Sequence, residues 1–224
     1  MSVQAIIFDL DGTLLYTLED IANAANFILN KHGLPTYEIN EYKFFVGDGV
    51  YRLVQRILPA SQRDDSFILN FIDEFADTYA NQWNNTTHPF PGISELLTTL
   101  NQQRIKLAIL SNKPDLFTHL CAKEFFPKIH FDCILGHQEN QALKPDPILS
   151  KYLLTNLEVS PEKTLFVGDS GVDILTAQNG GMVPVGVDWG YRDHKEMEDV
   201  GARWILEKPA DLLQVIKEMD ASEI

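Results

Sequence analysis

The chain has 224 residues, of which 45% are apolar and 22% charged, an ordinary balance for a globular protein. That length allows one large domain or two unequal ones and excludes a receiver-sized module. Acids outnumber bases by 32 to 18, for a net charge of −14. This field repels a nucleic-acid backbone and an anionic membrane surface. An anionic substrate therefore needs a local positive element, such as a bound divalent cation.

In chain order, the first feature is a short apolar run at residues 3–8 that stops at Asp9-Leu10-Asp11-Gly12-Thr13. A run of this length bounded by a glycine turn predicts a buried strand. The segment before it lacks a basic region and the apolar run is broken by Asp9, which argues against a signal peptide. Residues 18–82 then show helical periodicity alone. Leu18, Ile21, Ala22, Ala25, Ile28 and Leu29 make one stripe, Val50, Leu53, Val54 and Ile57 another, and Phe67, Phe71, Phe75 and Tyr79 fall on a third. An all-helical insert over residues 16–88 follows from this. Pro89-Phe90-Pro91-Gly92 leads into the next core helix.

Further strands are expected at 106–110, 131–135, 164–167 and 183–187, with helices between them. Ile93, Leu96, Leu97 and Leu100 mark one helix; Leu116, Phe117, Leu120 and Cys121 a second; Ile148, Leu149, Tyr152 and Leu153 a third. Alternating strand and helix predicts an α/β fold, a doubly wound parallel sheet covered on both faces. The domains expected are thus a core of residues 1–15 and 89–224 and a helical insert of residues 16–88. Residues 220–224 read as a frayed end. Cys121 and Cys133 have no partners at zinc-like spacing, and two reduced thiols fit a cytoplasmic protein. No segment reaches the roughly 20 apolar residues of a membrane span.

The chemistry gathers where apolar runs end. In an open parallel sheet, ligands bind beyond the carboxyl ends of the strands. The first strand ends at Asp9 and Asp11, the second at Ser111 and Asn112, and the fourth at Asp169 with Asp173 close behind; Lys144 follows the third. Two carboxylates two residues apart can divide nucleophilic attack or metal binding from proton transfer. With Asp169 and Asp173 they supply the oxygen ligands that Mg²⁺ prefers. Lys144 is the cation for a phosphate or for the nucleophile. The Ser111 hydroxyl and Asn112 can meet phosphoryl oxygens at a helix N-terminus.

At these residues the sequence resembles the haloacid dehalogenase superfamily, specifically its phosphatases with a small helical cap. Phe8-Asp9-Leu10-Asp11-Gly12-Thr13-Leu14, Leu110-Ser111-Asn112-Lys113, Lys144-Pro145-Asp146-Pro147 and Val167-Gly168-Asp169-Ser170-Gly171-Val172-Asp173 match its four motifs in order. Within the superfamily, Phe45-Val46-Gly47-Asp48-Gly49-Val50, followed by Leu53 and Arg56, is similar to phosphoglycolate phosphatases. Tyr16-Thr17 departs from the Asp-Ser of many relatives at the hinge into the cap.

The resemblance implies a Rossmann-like core and a Mg²⁺-dependent phosphatase acting on a small phosphorylated substrate, 2-phosphoglycolate first among the candidates. Asp9 attacks phosphorus; Asp11 protonates the leaving alcohol and then activates water. Metal is held by Asp9, the Asp11 carbonyl, Asp169 and Asp173, and phosphate by Ser111, Asn112 and Lys144. The turn of Gly47, Asp48 and Gly49 supplies specificity, with Arg52 or Arg56 as charge partner for a carboxylate. No nucleic-acid or membrane partner is expected, and the chain acts as a monomer or homodimer. A phosphosugar mutase shares every core motif and is the nearest rival. A non-enzymatic phosphoacceptor switch is more remote, because its phosphorylated Asp ends a different strand from its acidic pair.

Overall fold

A computed structural model describes residues 3–221. Strand β1, Ala5–Phe8, is buried along its whole length. It leads through a short hinge strand β2, Leu15–Tyr16, into helices α1, Leu18–Lys31, α2, Val50–Ile57, and α3, Asp65–Ala80. The chain returns through β3, His88–Pro89, which pairs antiparallel with β2. The remainder alternates: α4 Ile93–Gln102, β4 Lys106–Pro114, α5 Asp115–Phe125, β5 Cys133–His137, α6 Pro147–Leu157, β6 Thr164–Gly168, α7 Gly171–Asn179, β7 Val183–Val187, α8 His194–Val200, β8 Trp204–Leu206 and α9 Leu212–Ala221.

Six strands form one parallel sheet in the order β5-β4-β1-β6-β7-β8. The chain builds outward from β1 on one side, then crosses back to build outward on the other. The reversal falls at β1, where an open sheet forms its ligand crevice. Side chains of β1 alternate between two cores, which is why the strand reads as an unbroken apolar run. Ile6 and Phe8 pack with Leu96, Leu97, Leu100 and Val215 of α4 and α9. Ala5 and Ile7 pack on the other face with Leu153, Leu157 and Ala177 of α6 and α7.

A third core joins the three helices between the hinge strands. Leu18, Ala25, Ile28, Leu53, Phe71 and Phe75 belong to it, and Phe117 and Tyr191 enter from the sheet side. The hinge is fastened from within. Asp20, 1% exposed, accepts hydrogen bonds from the N–H and hydroxyl of both Thr86 and Thr87 at 2.8–3.1 Å. One carboxylate thus ties the start of α1 to the returning chain.

The structure differs from the sequence expectation at several points. Strand β4 runs on to Pro114, so Ser111, Asn112 and Lys113 lie within it. Strand β5 begins at Cys133 rather than at residue 131, and β8 is an additional edge strand. Leu116, Ile148 and Tyr152 are 65%, 61% and 55% exposed. Helix α5 buries Phe117, Thr118, Cys121 and Ala122, and α6 buries Ser150, Leu153, Leu154 and Leu157. Both helices are therefore rotated from the expected face, and the small Thr118 and Ser150 take inward positions. Asp220 and Ala221 are helical, with Asp220 accepting from the Val3 N–H at 3.1 Å, so the expected fray does not include them. Residues 222–224 lie outside the described residues. Among the described residues no helix is long and apolar enough to cross a membrane.

Replacing Asp20 with Ala leaves four donors without their acceptor. Stability in urea melts should fall by about 3 kcal/mol, the order expected for buried donors stranded by loss of a charged partner. A loss below about 1 kcal/mol would show that other groups or water satisfy the two threonines.

Candidate active site

The carboxyl ends of β1, β4 and β6 meet at the crevice. Asp9 follows β1 directly, its N–H still bonded to the Val167 carbonyl at 2.9 Å. Asp169 follows β6, and Asp173 lies in the first turn of α7. All three carboxylates are buried, and an oxygen of each lies within 4.8 Å of the others. Lys144, also buried, donates to Asp9 at 2.6 Å and to Asp173 at 2.7 Å.

Two of the carboxylates are further fixed. The second oxygen of Asp173 accepts from the Ser170 N–H at 3.1 Å and hydroxyl at 2.7 Å, so this residue caps α7 and holds Lys144 at once. Asp169 accepts from the Tyr191 N–H at 2.7 Å and the Thr13 hydroxyl at 3.4 Å. Gly12 has φ of +90°, and a Cβ there would collide with the Asp169 carboxylate. The Asp9-x-Asp11-Gly12 turn thus needs glycine for its backbone and for the passage of Asp169.

Three buried acids face one ammonium. Burial pushes Asp9 up to about 7; Lys144 opposes the rise and Asp173 adds to it. Asp169 is raised well above the ordinary carboxylate value by burial, with Asp173 and Asp9 contributing. Burial alone would lower Lys144, but Asp173 and Asp9 outweigh it and hold the ammonium charged. The cluster is short of positive charge. Hard oxygen donors converging in a negative pocket fit a divalent cation of the Mg²⁺ type.

Asp11 points away from this cluster. Its two oxygens lie 3.1 and 3.3 Å from Nζ of Lys113, which also donates to the Tyr79 hydroxyl at 2.8 Å. Lys113 is 6% exposed. Burial is the largest influence on it and acts downward, but Asp11 and Tyr79 together raise it well above the usual lysine value.

A cavity of about 110 Å³ opens over these groups. Asp9, Asp11, Ser111 and Asn112 line its floor, and Ile21, Val50, Leu53, Ile72 and Phe75 its roof. Gly47 and Gly49 line it too. Their turn is held from three sides. Asn112 donates to the Gly47 carbonyl at 2.9 Å, Arg192 to the Val46 carbonyl at 3.0 Å, and Arg56 to the Phe45 carbonyl at 2.9 Å while pairing with Asp48. Gly49, at φ of +85°, is the N-cap of α2.

Most of the residues singled out from sequence converge here: Asp9, Asp11, Ser111, Asn112, Lys144, Asp169, Asp173, Gly47 and Gly49. Asn112 differs in detail. Its carboxamide accepts from the Lys144 N–H at 2.8 Å and donates to the Gly47 carbonyl, so the side chain on the cavity floor also positions the lysine segment and the turn. Arg52 is exposed and donates to Gln55. Neither Arg52 nor Arg56 lines the cavity; Arg56 is taken up by the turn itself. The sequence alone assigns no role to Lys113, Tyr79, Thr13 or Tyr191. Lys113 stands beside Ser111 and Asn112 in one motif, whereas Tyr79 reads only as the end of an apolar stripe.

Known proteins resemble this chain over most of its length. The family model of haloacid dehalogenase-like hydrolases matches residues 6–187. A phosphoglycolate phosphatase of Mannheimia succiniciproducens is 33% identical over 215 residues, covering 93% of this chain and 96% of that one. One of Vibrio parahaemolyticus is 29% identical over 219 residues, covering 96% of each. A solved structure from Lactobacillus delbrueckii subsp. bulgaricus superposes with a TM-score of 0.89 at 30% identity, over 96% of this chain and 99% of that one. The family model over residues 6–187 and a relative 33% identical along nearly the whole chain give one answer: this chain belongs to the haloacid dehalogenase-like hydrolases.

Proposed function

We propose that the chain is a phosphoric monoester hydrolase that works through an aspartyl-phosphate on Asp9, with 2-phosphoglycolate as its first candidate substrate. The observation that carries this is the buried group of Asp9, Asp169 and Asp173 around Lys144, beneath a small cavity roofed by apolar side chains. In this reading Asp9, Asp169 and Asp173, with the Asp11 carbonyl, hold a Mg²⁺ ion. When bound, the ion neutralises charge on the transferring phosphoryl group and its carboxylate surroundings.

The protein's own groups supply the remaining steps. The free Asp9 oxygen attacks phosphorus as the bond to the leaving oxygen breaks. Asp11 gives its proton to that oxygen, so a neutral alcohol departs. Asp11 then takes a proton from water as the water oxygen attacks phosphorus. The Asp9–phosphorus bond breaks and inorganic phosphate is released with the carboxylate restored. Ser111 and Lys144 hold phosphoryl oxygens, and Asn112 keeps Lys144 and the Gly47–Gly49 turn in place. Charge stabilisation by such fixed donors supplies most of the rate in phosphoryl transfer.

Residues 16–88 act as a cap domain that closes over the substrate and excludes bulk water. The apolar roof supports a small leaving group. A hexose would bury hydroxyls against Ile21, Val50, Leu53 and Phe75 without partners, a costly exchange. The names of the relatives support phosphoglycolate.

Asp9→Asn should lower kcat by at least about 10³-fold while the thermal melt stays within a few degrees, since the nucleophile is lost and the core is not. Appreciable residual turnover would remove Asp9 from that role.

For Asp11→Asn the loss should be about 10²–10⁴-fold on alkyl phosphates and much smaller on aryl phosphates, whose leaving oxygens need no proton. Equal losses, with phosphorylation shown to limit the rate, would argue against an acid at this position.

Metal binding should register in stability. The Asp9 carboxyl rises from 3.8 to about 7 on folding. Between these values the folded chain keeps a proton that the unfolded chain has lost, so stability of the metal-free protein declines as pH rises through the window. Bound Mg²⁺ relieves that repulsion, so the Mg²⁺-induced increase in Tm should be larger at about pH 8 than at about pH 5. A pH-independent increase would mean that the ion binds elsewhere.

A further inference from the structure

One cation lines the cavity among the described residues, and it is not one of those expected for specificity. Lys144 lies below with Asp9 and Asp173. Arg52 pairs with Gln55, Arg56 with Asp48 and Arg192 with the Val46 carbonyl. Lys113 alone reaches the cavity wall, between Asp11 on the floor and Tyr79 on α3.

We propose that Lys113 is the specificity residue of the site: its ammonium seats a carboxylate carried on the carbon that bears the leaving oxygen, so the enzyme favours short 2-phosphooxycarboxylates. The inference rests on the assignment of Asp9 and Asp11 above and adds to it the group that recognises the rest of the substrate.

The geometry follows from Asp11. Its oxygen must come within about 3 Å of the leaving oxygen to protonate it. Lys113 Nζ is 3.1 Å from one Asp11 oxygen and 3.3 Å from the other. In a 2-phosphooxycarboxylate the carboxylate is attached one carbon beyond the leaving oxygen. A substrate placed for proton transfer therefore presents its carboxylate within reach of Nζ.

An ammonium has three protons. Tyr79 takes one, and both Asp11 oxygens share in the rest. Once one Asp11 oxygen turns to the leaving alcohol, an N–H is released for the incoming carboxylate. Ser111, which faces the phosphoryl end, and Lys113 both line the cavity from β4, so one strand holds both ends of the molecule. Around them stand Ile21, Val50, Leu53, Phe75 and Phe117. A charge-assisted hydrogen bond against such walls is stronger than one in water. Tyr79 comes from α3, so the seat is complete only when that helix is docked on the sheet.

The test compares 2-phosphoglycolate with its carboxamide, an uncharged isostere, and with ethyl phosphate, which lacks the group. Wild-type kcat/KM should favour the acid over the amide by at least about 10-fold, the scale of one charge-assisted bond. Lys113→Met should slow all three substrates through Asp11, but should reduce the acid-to-amide ratio to near one; Lys113→Arg should restore part of the preference, with KM as the parameter that moves. Equal rates for acid and amide in the wild type would overturn the proposal whether or not the variant folds. So would a ratio that Lys113→Met leaves unchanged. Turnover of ethyl phosphate with no preference for the acid would remove Lys113 from recognition and leave the phosphatase reading standing. Failure to release phosphate from any of the three or from p-nitrophenyl phosphate would overturn that reading itself.

Discussion

The site is organised by an imbalance of buried charge. Asp9, Asp169 and Asp173 are brought within 4.8 Å of one another, with Lys144 as the one ammonium among them. In water such a grouping would disperse. Here the carboxyl end of a parallel sheet prevents it, because each acid is anchored by backbone that other interactions already fix. Asp9 continues β1, Asp173 caps α7, and Asp169 is gripped by the Tyr191 amide. The fold meets the cost of repulsion to keep a cluster whose unbalanced negative charge fits a divalent cation.

The second carboxylate of the Asp-x-Asp pair is treated differently. Asp11 is 17% exposed at its side chain and faces the cavity, with Lys113 rather than Lys144 as its partner. Two neighbouring acids thus have separate cations and separate surroundings, the difference on which the proposed division of their roles rests. The division extends to the helices above. The Lys144 side is made wholly of core elements, whereas the Lys113 side includes Tyr79 of α3.

How far the sequence reveals this depends on whether the interaction is local. Strand-end acids are legible because an apolar run that stops at Asp9 or Asp169 marks both the strand and its carboxyl edge. Lys144 and Asp173 are legible through the resemblance and the same topology. Tyr79 and Lys113 are 34 residues apart, on a helix and a strand, and nothing in either segment points to the other. Their contact exists because α3 docks on the sheet. Arg52 and Arg56 are the reverse case: both lie near the glycine turn in sequence, but helix α2 directs them to Gln55 and Asp48. The three-residue β8 has too short a run to stand out, and Leu116, Ile148 and Tyr152 follow a helical period whose phase only the packing sets.

The pairing of β2 with β3 has a wider meaning. Residues Leu15 and Tyr16 lie directly opposite Pro89 and His88, so the helical segment leaves the sheet and rejoins it at one point. To the sheet, everything between is a single loop whose two ends are already closed together. Lengthening or replacing that loop would add little entropic cost to the sheet, since closure entropy grows only slowly with loop length. Evolution can therefore exchange the roof of the cavity as a cassette, altering which molecules are admitted while the acids below keep their register. The roof is inherited on one stretch of the chain, the strand-end acids and Lys113 on the others.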